Sequence, residues 1–188
     1  MTRDKNILTI DQEKRLLDWT HRNRSFRDYL IILTILRTGL RASELRELRV
    51  SDISVHGEIL TDLRMCSEIS GDRNLRTIPL PNDLREQLVT FLSWKRQNDE
   101  PTEPESFLFT SQKFPQMTLR HLQRIVREST QGALGAPYRV HDLRRTFEAR
   151  LKNDTNVGWA LPTRADSDWV GDAHLRKHVA KGAQKRHF

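Results

Sequence analysis

Apolar positions in this chain recur mainly three and four residues apart, which is the spacing of amphipathic helices. The most apolar stretch, "SFRDYLIILTILRTGL" at 25–40, predicts a buried helix that ends at Gly39. Less apolar stretches with the same helical spacing of apolar residues predict four further helices, at 8–20, 41–53, 82–97 and 118–130. Thr9 and Asn82 are the predicted caps of the first and third of these. The core side of the fourth should carry Leu119, Leu122, Ile125 and Val126.

The pattern changes between residues 58 and 81. "EILTDLRMC" and "LRTIPLP" read as two strands across the turn "SGDRN", which predicts an antiparallel β-hairpin. "GALGAP" should break the chain before a further helix that starts within "YRVHDLRRTF". The predicted fold class is therefore α+β and mainly α. We expect residues 1–151 to form one body, and residues 152–188, which lose the apolar period, to be a divergent tail that is partly disordered or loosely docked.

The charge balance adds a candidate partner. Lys and Arg number 32 against 25 Asp and Glu, a net charge of +7, and a basic protein of this size often binds nucleic acid. A charge that serves only solubility is the alternative. The single cysteine, Cys66, allows neither an internal disulfide nor a thiolate metal site and favours a reducing compartment, the cytoplasm or the nucleus. We expect no signal peptide, because the first residues are polar, and no membrane partner, because no apolar run is long enough to span a bilayer.

Two short segments place cations at helical spacing. In "YRVHDLRRTF", His141, Arg144 and Arg145 can share one helix face. In "TGLRASEL", Arg41 follows a glycine turn at the start of a new helix, where free N–H groups attract anions. Glu44, one turn later, could orient that guanidinium. Taken singly, each of these residues is more often a solvated surface side chain or a satisfied histidine.

Together the two segments resemble the two arginine boxes of the phage integrase, or tyrosine recombinase, family. "TGLRASELRELRVSDI" is similar to the first box and "HDLRRTFEARL" to the second, and "RTIPLP" resembles the strand that ends the family's hairpin. The resemblance covers residues 7 to about 151. It implies the family's mixed catalytic-domain fold, DNA recombination and integration as found in phages and other mobile elements, and the absence of the core-binding domain that many members carry before it.

The resemblance also implies roles. A tyrosine attacks a phosphodiester of double-stranded DNA, two arginines neutralise the phosphate charge, and neither a metal nor another cofactor is needed. Arg41 would be the first clamp, Arg144 the second and His141 the acid–base or phosphate-binding imidazole. The expected DNA-binding residues are Arg41, Glu44, Arg73, Arg144, Arg145 and His174.

The sequence departs from the family pattern at two points. The family's hairpin lysine is missing, because no lysine occurs between Arg64 and Lys95 and the nearest cation is Arg73. No tyrosine follows the second box: Tyr29 lies in the predicted core helix and Tyr138 precedes His141. "VGDAHLRKH" only distantly echoes the family's Leu-Gly-His stretch.

Several interpretations remain open. The tail could come from a shifted reading frame, the protein could be a relative that binds DNA without cutting it, or a partner could donate the tyrosine through self-association or assembly with an intact recombinase. A DNA-binding regulator without enzymatic activity is the rival function. An unrelated helical domain that binds a small phosphorylated ligand is a weaker one.

Overall fold

The computed structural model describes residues 7–66, 75–111 and 114–153. Within them lie seven helices: α1 Ile10–Asn23, α2 Phe26–Thr38, α3 Ala42–Glu47, α4 Val50–Ile53, α5 Asn82–Gln97, α6 Leu119–Leu134 and α7 Val140–Asn153. Four short strands accompany them: β1 Ser54–Val55, β2 Glu58–Ile59, β3 Asp62–Cys66 and β4 Leu75–Pro79. The fold is α+β and mainly α, as predicted. None of the helices in the described ranges is long and apolar enough to cross a membrane.

The first helix begins, and the second ends, where the sequence predicts. The Thr9 side chain accepts a hydrogen bond from the N–H of Gln12 (3.2 Å), and Gln12 Oε1 accepts one from the N–H of Thr9 (2.9 Å). This capping box satisfies two N–H groups that the first turn leaves unpaired. Gly39 ends α2 in the left-handed conformation (φ 62°).

The predicted hairpin is present as the β3–β4 pair. The two strands run antiparallel with Asp62 opposite Pro79 and Cys66 opposite Leu75, and the residues of the predicted turn lie outside the described residues. The prediction of one continuous strand at 58–66 was wrong. Its first residues form β2, which pairs back onto β1 through the turn at His56 and Gly57, both with positive φ.

Three helix predictions also need correction. The helix expected at 41–53 is divided into α3 and α4, because the Leu48 carbonyl leaves the helix and accepts the N–H of Leu108 (2.7 Å). Asn82 is the first residue of α5 and not its cap, since Pro81 occupies the cap position and no side chain in the described ranges caps the helix. Leu119 is 37% exposed, in the first turn of α6, rather than part of the core.

The chain breaks within "GALGAP" as predicted, although the helix expected at 118–130 continues through Gly132 to Leu134 and ends at Gly135. A contact distant in sequence explains the difference. A Cβ on Gly132 would lie 2.3 Å from Trp19 Cζ2, so the missing side chain makes room for the indole of α1. Gly132 is therefore a packing glycine, and it helps to fix α6 against α1.

The core is built around α2, which packs against α1, α5 and α7. Five of its apolar side chains are essentially inaccessible: Leu30, Ile31, Ile32, Ile35 and Leu36. The N-terminal segment is joined to α7 by Thr146, whose Oγ1 accepts the N–H of Leu8 (3.0 Å) and donates to the Asp142 carbonyl (2.9 Å). The start of the described chain and α7 are thereby held together.

Lys95 is a fully buried cation at the C-terminal end of α5. Its Nζ donates to the carbonyls of Leu108 (3.1 Å) and Phe107 (3.3 Å) and lies 3.5 Å from Glu100 Oε2. Burial lowers the pKa of Lys95, and the Glu100 carboxylate opposes that shift. This lysine holds the 107–108 segment against α5 and is structural.

Replacing Lys95 with Met should lower the free energy of unfolding by about 1–3 kcal/mol, because two buried carbonyls lose their donor. Urea denaturation followed by circular dichroism measures the change. The matched control is Arg96→Met on the exposed side of the same helix. Equal decreases in the free energy of unfolding for the two variants would show that the Lys95 hydrogen bonds contribute little to stability.

Candidate functional site

A cleft of about 950 Å³ opens between the start of α3, one face of α6 and the start of α7. Arg41, His141 and Arg144 lie on its wall, although 100 residues separate the first from the second. The other lining residues are Leu40, Ala42, Arg120, Gln123, Arg124, Arg127, Pro137, Tyr138, Arg139 and Val140. The two sequence segments singled out above thus meet in space.

Arg41 is the residue that immediately precedes α3. Its backbone N–H donates to Glu44 Oε2 (2.6 Å), which ties the acidic residue to the helix start. The Arg41 side chain is 52% exposed, with Nη1 4.0 Å from Glu44 Oε1. It lines the cleft from the turn after Gly39, with about half of its surface open to solvent.

Arg144 is held far more tightly. Its Nη1 donates to the Gly39 carbonyl (2.9 Å) and its Nε to Glu148 Oε1 (2.7 Å), and the side chain is only 15% exposed. Glu44 Oε2 lies 4.0 Å from the same Nη1. Because Glu44 lies between the guanidiniums of Arg41 and Arg144, it can orient both.

His141 is exposed in the first turn of α7 and forms part of the cleft wall. The start of this helix is fixed by Asp142, whose Oδ2 accepts the N–H of Arg139 (2.8 Å). His141 and Arg144 are three residues apart and so share one face of α7. An imidazole and a guanidinium can therefore reach the same bound group.

The glycine between the two segments is essential to this arrangement. A Cβ on Gly39 would lie 2.3 Å from Phe147 Cδ1, so the Phe147 ring packs directly on the backbone of the turn. The same turn supplies the carbonyl that Arg144 binds. Gly39 thus brings α7 close enough for Arg144 to approach Arg41.

Sequence reasoning missed the contribution of α6. Arg120, Arg124 and Arg127 follow one another at helical spacing on the exposed face of this helix, opposite the buried Leu122 and Val126. Each of the three lines the cleft. The spacing of four and three residues was visible in "LRHLQRIVRE", but it does not show which surface the arginine face meets.

Other predicted site residues are not brought to the cleft. Arg145 is exposed on α7 but is not among the lining residues, and Arg73 and His174 lie outside the described residues. Tyr138 lines the cleft, whereas Tyr29 is half-buried and stacked on Phe26. Of the residues for which coordinates are described, no lysine lines the cleft and no group of acidic, His or Cys side chains could hold a metal.

The electrostatics of the cleft are one-sided. Its described lining contains six arginines and one histidine but no carboxylate. Guanidinium groups present planar donor pairs that match the oxygens of phosphate. Such a concentration of fixed cations is chemically suited to an anion with several phosphate oxygens and to negative charge that develops during a reaction.

Comparison with known proteins agrees with this chemistry. The model of the phage integrase family matches residues 6–157. The chain belongs to the phage integrase family. Tyrosine recombinase XerA of Pyrococcus furiosus is 29% identical over 77% of this chain and 47% of its own length. A tyrosine recombinase of Pseudothermotoga lettingae is 31% identical over 90% of this chain and 53% of its own length. The chain spans about half the length of these relatives.

Solved structures of phage integrase relatives show the same fold. The crystal structure of XerA recombinase has a TM-score of 0.68 at 19% identity, over 96% of this chain and 64% of that one. XerH site-specific recombinase bound to its difH substrate has a TM-score of 0.65 at 20% identity, over 81% of this chain and 44% of that one. The architecture implied by the two boxes is therefore confirmed.

Gly39→Ala should unfold more easily than the parent chain for two reasons. The left-handed backbone costs a non-glycine residue about 1–2 kcal/mol, and the clash with Phe147 adds about 1–3 kcal/mol of overpacking. Gly135→Ala is the matched control, because Gly135 also has a positive φ (72°) but no described residue lies within 4 Å of an added Cβ. Chemical denaturation of both variants measures the difference, and equal destabilisation would mean that the Phe147 contact is unimportant.

Proposed function

We propose that this chain binds double-stranded DNA through its phosphodiester backbone, as a site-specific recombinase or integrase-type protein. The supporting observation is the cleft in which Arg41, His141 and Arg144 meet three further arginines of α6, with no carboxylate among the lining residues that the structure describes. Membership of the phage integrase family supports the same ligand. Relatives of similar fold include XerH bound to difH substrate and lambda integrase bound to DNA.

A polymer of phosphates fits this cleft better than a small phosphorylated molecule does. The rise of an α-helix is 1.5 Å per residue, so the row from Arg120 to Arg127 is about 10 Å long. One phosphate group cannot engage both ends of such a row together with Arg41 and Arg144. Successive phosphates along a DNA strand can do so, because a strand carries one charge about every 3.4 Å of helix axis.

Within this proposal the residues have distinct roles. Arg41 and Arg144 clamp the phosphate at which strand exchange takes place, and Glu44 keeps the two guanidiniums in place. His141 is the acid–base or phosphate-binding imidazole. Arg120, Arg124 and Arg127 contact neighbouring phosphates. Further DNA contacts come from Arg73, Arg145 and His174.

We further propose that this 188-residue chain does not cleave DNA on its own. Burial raises the pKa of Tyr29, which disfavours the phenolate that would attack phosphorus. Tyr138 lies in the cleft but directly precedes the helix that carries His141, on the other side of the box from the family's tyrosine.

The DNA-binding regulator is the second candidate, favoured by the lack of a cleft lysine among the described residues. In either case we place the protein in the cytoplasm.

Binding of duplex DNA should weaken log-linearly as salt rises, because each phosphate contact releases condensed counterions. Arg127→Gln should reduce the magnitude of the log–log slope by about 0.9. Fluorescence anisotropy with a labelled duplex measures the slope. The salt concentration is varied between roughly 50 and 200 mM, where the affinity changes strongly.

Arg22→Gln is the matched control, since it removes the same charge from an exposed position at the end of α1 that does not line the cleft. It should leave the slope nearly unchanged. Equal slopes for the two variants would show that binding depends on net charge and not on the cleft. A salt-insensitive interaction would contradict the proposed function.

A nicked suicide substrate should give no covalent protein–DNA adduct with this chain alone, because neither of its tyrosines occupies the nucleophile position. Denaturing electrophoresis detects such an adduct. A denaturant-resistant adduct that maps to Tyr29 or Tyr138 would contradict the prediction. An adduct that forms only after an intact recombinase is added would support donation of the tyrosine by a partner.

A further inference from the structure

A buried carboxylate of α1 lies outside the described lining of the cleft. Glu13, in the first turn of α1, is only 5% exposed. Its Oε1 accepts a hydrogen bond from Arg37 Nη1 (2.7 Å), and its Oε2 is paired with Arg150 Nη2. One carboxylate of α1 therefore joins an arginine of α2 to an arginine of α7.

Arg37 extends this cluster to a fourth helix. Its Nε donates to Asp83 Oδ2 (2.6 Å) in the first turn of α5. Burial by itself lowers the pKa of Arg37, but the hydrogen bonds to Glu13 and Asp83 outweigh it and the pKa is raised. Removing the Glu13 charge would leave Arg37 and Arg150 without their shared anion, which is unfavourable in a buried place.

The two arginines of this cluster lie close in sequence to the phosphate clamp. Arg37 precedes Gly39 by two residues, and the Gly39 carbonyl is the group that Arg144 binds. Arg150 follows Arg144 by six residues on the same helix, a distance of about 9 Å along the axis. The position of α7 against α2 is thus fixed at two places, at the Gly39 turn and at Glu13.

We infer that Glu13 is a positioning residue for the phosphate clamp, holding α7 in the register on α2 that lets Arg144 bond to Gly39 beside Arg41. This inference rests on the proposed function of the cleft. Glu13 does not touch the ligand, and it acts through Arg37 and Arg150. A small shift or rotation of α7 would move the Arg144 guanidinium away from Arg41 while leaving the apolar core largely packed.

A double-mutant cycle on the full 188-residue chain tests this inference. The dissociation constant for a labelled mixed-sequence DNA duplex is measured at one low salt concentration for the parent, Glu13→Gln, Arg144→Ala and the double variant. Circular dichroism shows that each is folded at the temperature used. A residue with only a structural role gives additive effects, whereas a positioning residue gives a coupling term with Arg144.

Arg144→Ala should weaken binding by about tenfold in the parent chain, as expected for the loss of charge-assisted hydrogen bonds. In the Glu13→Gln background the same change should cost less than about threefold, because Arg144 is already misplaced. Equal losses in both backgrounds would overturn the inference and leave the proposed function intact. No loss in the parent chain would contradict the role of Arg144 and the inference together.

Two further variants make the test specific. Arg150→Gln removes only the ion pair between Glu13 and α7, and Arg150 is partly exposed. This variant keeps the experiment informative if Glu13→Gln does not fold. It should show the same coupling with Arg144→Ala as Glu13→Gln does. Asp83→Asn removes the other partner of Arg37, on α5, and should leave the tenfold effect of Arg144→Ala unchanged. Coupling of similar size with Asp83→Asn would mean that any loosening of the fold disturbs Arg144, which would overturn the inference.

Discussion

The contact between the Gly39 turn and α7 is the interaction on which the cleft depends. It combines a hydrogen bond from Arg144 to the Gly39 carbonyl with the Phe147 ring packed where a side chain would otherwise be. The Phe147 contact requires a residue without a Cβ, and the left-handed φ of the turn favours glycine as well. Two segments about a hundred residues apart therefore become one site through a missing Cβ.

Bringing six arginines to one cleft creates a repulsion that the fold must withstand. Glu44 and Glu148 lie behind the guanidiniums of Arg41 and Arg144, so that they compensate part of the charge without entering the lining of the cleft. The arginines of α6 are instead exposed, where water screens their mutual repulsion. The cleft thus presents positive charge to its ligand. In the absence of the ligand, the two carboxylates and the surrounding water weaken the repulsion among the arginines.

Local signals in the sequence were sufficient for much of the fold. Thr9 and Gly39 mark helix ends through contacts within a few residues, and the two boxes identify the family. Contacts distant in sequence decided the rest. The division between α3 and α4 depends on Leu108, and the continuation of α6 through Gly132 depends on Trp19. The spacing of the α6 arginines was visible in the sequence. The orientation of this arginine face towards Arg41 is set by the packing of α6 against α1 and α3, which the sequence does not show.

The hydrogen bond from the Leu8 amide to Thr146 has a mechanical consequence. Thr146 lies on α7 between Arg144 and Phe147, so the polypeptide at the beginning of the described chain is tethered to the middle of the helix that forms one wall of the cleft. Because the donor is a main-chain group, the tether does not depend on which side chain residue 8 carries, except that proline lacks this donor. Tension applied to the chain at residue 7 would be transmitted along the main chain to α1 and, through one hydroxyl, also to α7, about half a turn from Arg144.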